Sequence, residues 1–120
     1  MTKMLFIISK GLEKSGGATR DMQFASLAAQ QGHQVEVFLI DEAVHWAQAG
    51  MAEGIRAATG ESLKDFLDNL ATQQHPIHVC KACADKRLIS PDDLIAGAVI
   101  SPAPVLVKMM ADPEYKVFTF

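Results

Sequence analysis

Cys80 and Cys83 are the only cysteines in this 120-residue chain, and they stand three positions apart in the run His78-Val79-Cys80-Lys81-Ala82-Cys83. The stretch 76–79 reads as a short apolar strand whose end delivers Cys80, and 80–87 reads as a helical turn or short helix. A cysteine in the first turn of a helix meets unpaired backbone N–H groups and the positive end of the helix dipole, which favour the thiolate. Lys81 and Lys86 add positive charge, and His78 adds to it if its ring turns toward the sulfur. Thiolate is the nucleophilic form, so this placement suits sulfur or disulfide chemistry. The plainer reading, a cysteine buried as a small hydrophobe, is weakened by the strand-to-helix position.

Three readings of the pair compete. On a helix, Cys83 lies on the same side as Cys80. A redox dithiol would use a Cys-x-x-Cys at such a junction, but the rest of a thioredoxin-like pattern is missing. A metal site would draw on His78, Cys80 and Cys83; a structural zinc site takes four ligands, and there is no second Cys-x-x-Cys, so no metal is assigned. The reading that asks least is one functional cysteine with a packing neighbour. Elsewhere, Gly11, Gly16 and Gly17 beside Ser15 could cradle an anion at a helix start. Without a Walker A or dinucleotide fingerprint they read as an ordinary strand-to-helix turn, and no cofactor is assigned. Asp41 and Glu42 either line a cleft or cap the next helix. Trp46 and Met51 fall in an irregular stretch, as an exposed interface patch or as core, and His33 and His45 read as surface residues.

The elements that must position these residues alternate between β-rich runs and amphipathic stretches, the pattern of βαβ units around a parallel sheet. Strands are expected at 3–9, 34–40, 76–79, 97–101 and 115–120. Leu5, Phe6, Ile7 and Ile8 run unbroken, as in a strand covered on both faces. Residues 10–17 read as a loop, and a helix is expected over 18–31 from the spacing of Ala18, Met22, Ala25 and Ala29, stopped by Gly32. Leu63, Phe66, Leu67 and Leu70 give a second helix over 62–73, with Ser62 or Gly60 as its cap. A third is expected over 102–110, begun by Pro102 or Pro104. Segment 41–60 holds a short helix at Ala43, Val44 and Ala47, interrupted by Gly50, Gly54 and Gly60, and Ser90-Pro91-Asp92-Asp93 reads as a loop and new helix start. The sum is a single α/β domain over residues 1–120, with a five-stranded, mainly parallel, doubly wound sheet. In such sheets functional groups gather beyond the carboxyl ends of the strands. That rule collects 10–17, Asp41-Glu42, the Cys80 segment and Ser101-Pro102 on one edge.

Composition narrows the partners. The formal charge is −3, hydrophobic residues make up 49 % and charged residues 21 %, a globular balance rather than a disordered one. Without a Lys/Arg cluster the chain lacks the footprint of phosphate-backbone binding, so nucleic acid is not an expected partner. No run approaches the eighteen or so apolar residues of a membrane helix, and the apolar run after Lys3 is too short for a signal-peptide core. No membrane association is expected, and the expected compartment is the cytosol, where thiols stay reduced.

The run Ile77-His78-Val79-Cys80-Lys81-Ala82-Cys83-Ala84-Asp85-Lys86-Arg87 resembles the cysteine segment of the DsrE/TusD-like (DsrE/DsrF-like) sulfur-relay family. The likeness extends to the Met4–Ser9 strand, the Gly16-Gly17 loop, Gly32-His33-Gln34-Val35, the 38–44 segment, Asp92-Asp93-Leu94-Ile95 and Val117-Phe118-Thr119-Phe120. The resemblance implies a flavodoxin-like three-layer subunit, assembled as a homo-oligomer (trimer or hexamer). Its cysteine would take a persulfide sulfur from a donor protein and hand it to an acceptor protein. It implies Cys80 as the acceptor, Cys83 as a possible resolving thiol, His78, Lys81 and Arg87 as support, and Gly16, Gly17 and Asp41 along the cleft. The glycine that often follows the family's arginine is Leu88 here. A non-catalytic binding or assembly module of the same fold is the alternative, with its interface at Trp46, Met51 or the Met109-Met110 helix face.

Overall fold

The structure, a computed structural model, describes residues 2–120. Five strands form one sheet: β1 (Lys3–Ile8), β2 (Gln34–Leu39), β3 (Ile77–Cys80), β4 (Ala98–Ser101) and β5 (Tyr115–Thr119). The order is β4-β3-β2-β1-β5 and every pairing is parallel. Four α-helices accompany them: α1 (Ser15–Gln30), α2 (Leu63–Thr72), α3 (Lys81–Lys86) and α4 (Ala103–Ala111). Two single-turn 3-10 segments stand at Leu12–Lys14 and Pro91–Asp93, and a longer, seven-residue 3-10 segment at Asp41–Ala47. The layered α/β architecture is the one expected. Its strand order differs from flavodoxin's 2-1-3-4-5, because here the chain steps outward from β1 to β4 and returns in a single crossover to β5.

That path decides which helices share a face. Successive steps from β1 to β4 run in one direction, and right-handed crossovers place their connections on one side. The return from β4 to β5 reverses direction and carries α4 over the other side. β1, flanked on both edges, buries Leu5, Phe6, Ile7 and Ile8. Val35, Val37, Leu39, Ile77 and Val79 are buried and alternate onto one face of the sheet, and Met22 and Ala25 of α1 and Leu67 and Leu70 of α2 are buried in the same core. α2 starts on a capping box in which the Ser62 hydroxyl accepts from the Asp65 N–H and the Asp65 carboxylate accepts from the Ser62 N–H. The expected Ser62 cap is therefore the one used, not Gly60.

Several local expectations change. α1 begins at Ser15, so Gly16 and Gly17 belong to its first turn and not to a loop. The 3-10 turn before it delivers the chain early, and Gly17 has a packing reason: a Cβ there would stand 2.8 Å from Lys10 Cδ. Trp46 is not an exposed patch. Segment Asp41–Ala47 folds inward, burying Ala43, Val44, Trp46 and Ala47, and the Trp46 indole N–H donates to the Lys10 carbonyl at 2.8 Å. His33 and His45 are half-buried rather than surface, His33 Nδ1 accepting from the Thr2 N–H and His45 Nδ1 meeting Gln48 Oε1. Ser90–Asp93 closes only one 3-10 turn. β3 runs one residue further than expected and includes Cys80, which puts that residue in register with Ser101 of β4. α4 buries none of its residues: Leu106 and Met109 touch the core, while Val105, Val107 and Met110 stay exposed.

Candidate functional site

Cys80 ends β3 and is the N-cap residue of α3, with φ −57° and ψ 123°. It is only 7 % exposed, whereas Cys83, in the first turn and a half of α3, is half-buried. Both thiols are free. Cys83 Sγ accepts the backbone N–H of Asp41 at 3.2 Å. Asp41 follows β2 and holds the left-handed conformation, φ +51°, that turns the chain into the 3-10 segment and aims its N–H at the sulfur. Burial pushes the Cys83 thiol up, a hydrogen bond with Cys80 acts in the same direction, and the Asp41 N–H opposes them. The two sulfurs are thus direct neighbours, with Cys83 held as a neutral thiol beside Cys80. The pair can exchange between dithiol and disulfide, or one sulfur can carry a group that the other later displaces.

The cations expected around the cysteine are partly committed elsewhere. Lys81 pairs with Asp85 one turn on at 2.8 Å, both largely exposed. Arg87 donates from Nη1 to the Cys83 carbonyl at 3.1 Å and from Nη2 to Glu42, whose carboxyl it holds below its ordinary range. Arg87 therefore ties the end of α3 to the Asp41–Ala47 segment. Leu88, 90 % exposed, sits at φ +58°, the left-handed position after the helix end. The Ile89 N–H bonds the Ala84 carbonyl and the Leu88 N–H bonds the Asp85 carbonyl, a Schellman closure that glycine forms without strain and leucine forms here at some cost. The loop keeps the shape a glycine would give it.

His78 does not turn to Cys80. Its ring stacks on Phe38 with centroids 5.2 Å apart, and both nitrogens are engaged: Nδ1 lies 2.8 Å from Ser101 Oγ and Nε2 lies 2.8 Å from Glu36 Oε1. A carboxylate only accepts, so Nε2 carries the proton. The second oxygen of Glu36 accepts the Tyr115 hydroxyl. The His78 hydrogen bond holds the Glu36 carboxyl below its usual range against the effect of burial, with Tyr115 adding to it. Burial, then Glu36, pushes the Tyr115 phenol up to about 12. With its nitrogens taken, His78 does not complete a metal set with the two thiols, and among the described residues no three His, Cys, Asp or Glu side chains are grouped to hold a metal. Ser101 is among the groups the sequence collects beyond the strand ends, whereas Glu36 and Tyr115 are not singled out from the sequence. The one signal for them is Glu36 itself, a charge inside the apolar run Val35-Glu36-Val37-Phe38.

The remaining expected residues lie apart. Gly16 and Gly17 follow β1, which β2 separates from β3, so of the residues expected along the cleft only Asp41 touches the cysteine pair. Beside Gly17, Lys10 Nζ pairs at 3.2 Å with Asp21, whose carboxyl burial raises and Lys10 counteracts. A shallow apolar groove of about 490 Å³, walled by Phe6, Phe24, Leu27, Phe118 and Phe120, opens on the α1 face and not at the cysteines. No helix among the described residues is long and apolar enough to cross a membrane.

Comparison with solved structures returns the ychN protein of E. coli at 25 % identity and TM-score 0.86, with the whole of both chains covered. It also returns a protein of unknown function, MTH1491 from Methanobacterium thermoautotrophicum, at 14 % identity and TM-score 0.74, again over the full length of both. The second likeness is one of fold. No curated protein matches the chain. The model of the DsrE/DsrF-like family matches residues 2–120.

Proposed function

Because this chain belongs to the DsrE/DsrF-like family, a family of the sulfur-relay type, we propose that it is a sulfur-carrier subunit in which Cys80 accepts a sulfur atom and passes it on. The observation that carries this reading is the pairing of two free thiols at the β3–α3 junction, with Cys83 neutral against Cys80. In the forward step the Cys80 thiolate attacks the outer sulfur of a donor protein's persulfide. A new S–S bond forms on Cys80, the donor's S–S bond breaks, and the donor leaves as a thiolate. An acceptor thiolate then attacks the outer sulfur of the Cys80 persulfide and releases Cys80 as thiolate. Cys83 provides an exit: its sulfur attacks the inner sulfur while its proton passes to the departing outer sulfur, which leaves as hydrosulfide from the ionised persulfide and gives a Cys80–Cys83 disulfide.

The supporting groups take definite parts in this reading. Arg87 and Asp41 fix α3 and the Cys83 sulfur, and exposed Lys81 stands where a partner protein approaches. Asp41, after β2, borders that approach, while Gly16 and Gly17, after β1, stand one strand further along the same edge of the sheet. A reducing compartment such as the cytosol suits a carrier whose thiols must stay free. Self-association is part of the proposal: α4 buries nothing, and the edge strand β5 exposes Val117 and Phe118. These surfaces are what a trimer or hexamer would cover, and Trp46, being buried, is not among them.

The test is to incubate reduced protein with a persulfide donor and weigh it intact. A gain of one sulfur atom is expected, abolished in Cys80→Ala and retained, with slower loss as hydrosulfide, in Cys83→Ala. Equal loading of Cys80→Ala and wild type would refute the assignment.

A further inference from the structure

A thiol largely closed to water ionises more readily where a group inside the protein can take up its proton, and β4 places a hydroxyl across the ladder from Cys80. Ser101 is the register partner of Cys80, so the two side chains leave adjacent parallel strands on one face, with backbones about 4.8 Å apart. Both are nearly closed to water, Ser101 at 6 % exposure and Cys80 at 7 %. From Ser101 a continuous chain of hydrogen bonds crosses the sheet through His78 Nδ1, His78 Nε2 and Glu36 to the Tyr115 hydroxyl. These groups sit on β4, β3, β2 and β5, and no buried side-chain nitrogen or oxygen among the described residues is left without a partner.

We propose that Ser101, His78 and Glu36 form a proton relay for Cys80, with Tyr115 as its anchor. The polarity of the chain follows from its ends. Glu36 only accepts, so neutral His78 has its proton on Nε2, and Nδ1 accepts the Ser101 hydroxyl. No hydrogen bond joins Cys80 Sγ to Ser101 Oγ in the resting structure; the relay engages when the thiol turns across the ladder toward the free lone pairs of its register partner. On ionisation the Cys80 proton passes to Ser101 Oγ while the Ser101 proton passes to His78 Nδ1. The products are a Cys80 thiolate accepting from Ser101 and a His78 imidazolium held by the Glu36 carboxylate. No atom or electron is gained or lost, and the reverse transfer returns the proton to Cys80 when an acceptor's attack releases it as thiolate.

Other charges facing this chain are few. Lys3 on β1 acts on Glu36, and Asp112 and Glu114 at the turn into β5 act on Tyr115. On the α3 side stand Cys83, Asp41, and the Glu42–Arg87 pair. Lys108 of α4 is exposed. None of these can replace the imidazolium that the relay builds next to Ser101.

The inference rests on Cys80 being the reactive thiol, and its test is independent of sulfur transfer. In a Cys83→Ala background, the rate of Cys80 alkylation by iodoacetamide is followed against pH for the parent, Ser101→Ala, Ser101→Thr and Glu36→Gln. The relay requires the midpoint to rise by about one pH unit in Ser101→Ala and Glu36→Gln, a roughly tenfold slower reaction at neutral pH when the midpoint lies above 7. Ser101→Thr keeps the hydroxyl and restores the parent profile. An unmoved midpoint in Ser101→Ala, the milder change, overturns the relay even where sulfur loading succeeds. A moved midpoint in a protein that takes no sulfur upholds the relay and counts against the carrier reading alone.

Discussion

Replacing Glu36 by glutamine removes one charge from the middle of the sheet without changing shape, and its cost can be worked out. One carboxylate oxygen accepts His78 Nε2–H at 2.8 Å and the other accepts the Tyr115 hydroxyl. An amide can satisfy one of these donors with its oxygen, but its NH₂ then faces the second donor. Hydrogen bonds to charged groups contribute about 1.5–3 kcal/mol, so Glu36→Gln is expected to lose about 2–3 kcal/mol near pH 7. With unfolding entropy of about 2.1 cal/mol/K per residue, a chain of this length loses about 4 °C per kcal/mol, or about 8–12 °C in all. The pH dependence carries the sharper test. The folded Glu36 carboxyl is lowered, by His78 first and Tyr115 after burial is counted against them. Its contribution is therefore complete above the unfolded glutamate value of about 4.3 and is lost as pH falls through the still lower folded value. Asp21, raised by burial, acts in the opposite sense but is common to both proteins and cancels in the difference. Urea unfolding of wild type and Glu36→Gln at pH 7, 5, 4 and 3 is the assay. A stability gap that is constant to pH 5 and closes below pH 4 is expected. A gap that persists unchanged at pH 3, or one below about 0.5 kcal/mol at pH 7, refutes the reasoning.

Two further outcomes follow from the fold. A Cβ at Gly16 meets nothing within 4 Å, so Gly16→Ala is expected to stabilise α1 by about 0.5–1 kcal/mol, whereas Gly17→Ala must displace the Lys10 side chain and is expected to gain less; thermal melts with equal gains at both positions would contradict this packing. If α4 and β5 form the contact between copies, light scattering shows an oligomer that Val107→Asp breaks down with the monomer's melting preserved, and a monomeric wild type would remove that contact from the proposal.

The strands and α2 were legible because burial on both faces leaves an unbroken apolar run, as in Leu5–Ile8, and burial on one side of a helix leaves a 3.6-residue period, as in Leu63, Phe66, Leu67 and Leu70. The start of α1 was not, because Ser15-Gly16-Gly17 has loop chemistry and only the space occupied by Lys10 explains a glycine there. Trp46 was ambiguous for a related reason: a 3-10 turn has no period long enough to declare an inner face. Cys80 could be placed at a strand end from local pattern alone. What surrounds it could not, since Glu36 meets Tyr115 across 79 positions and His78 across 42, with β1 lying between β2 and β5. Periodicity assigns Glu36 to a face of β2, but only the return crossover through α4 brings β5 to the edge where Tyr115 reaches it.

That same crossover bears on how a substrate arrives. In doubly wound sheets the ligand crevice opens where the winding direction reverses, here between β1 and β5. In this chain that point is filled: the Ser9 hydroxyl donates to the Phe120 carbonyl at 2.9 Å, and Lys10 Nζ lies 5.8 Å from the Phe120 ring centroid while pairing with Asp21. The cysteine pair stands two strands away, at the end of β3, under a six-residue helix with exposed polar ends. The apolar groove on the α1 face does not reach the thiols. On the proposed carrier reading, sulfur would reach Cys80 on a group that approaches the β3–α3 junction from outside, such as a cysteine carried on another protein's surface. On that reading the two proposals are complementary: the proton would leave inward across the sheet through Ser101 and His78, and the sulfur would enter and leave on the Cys83 side.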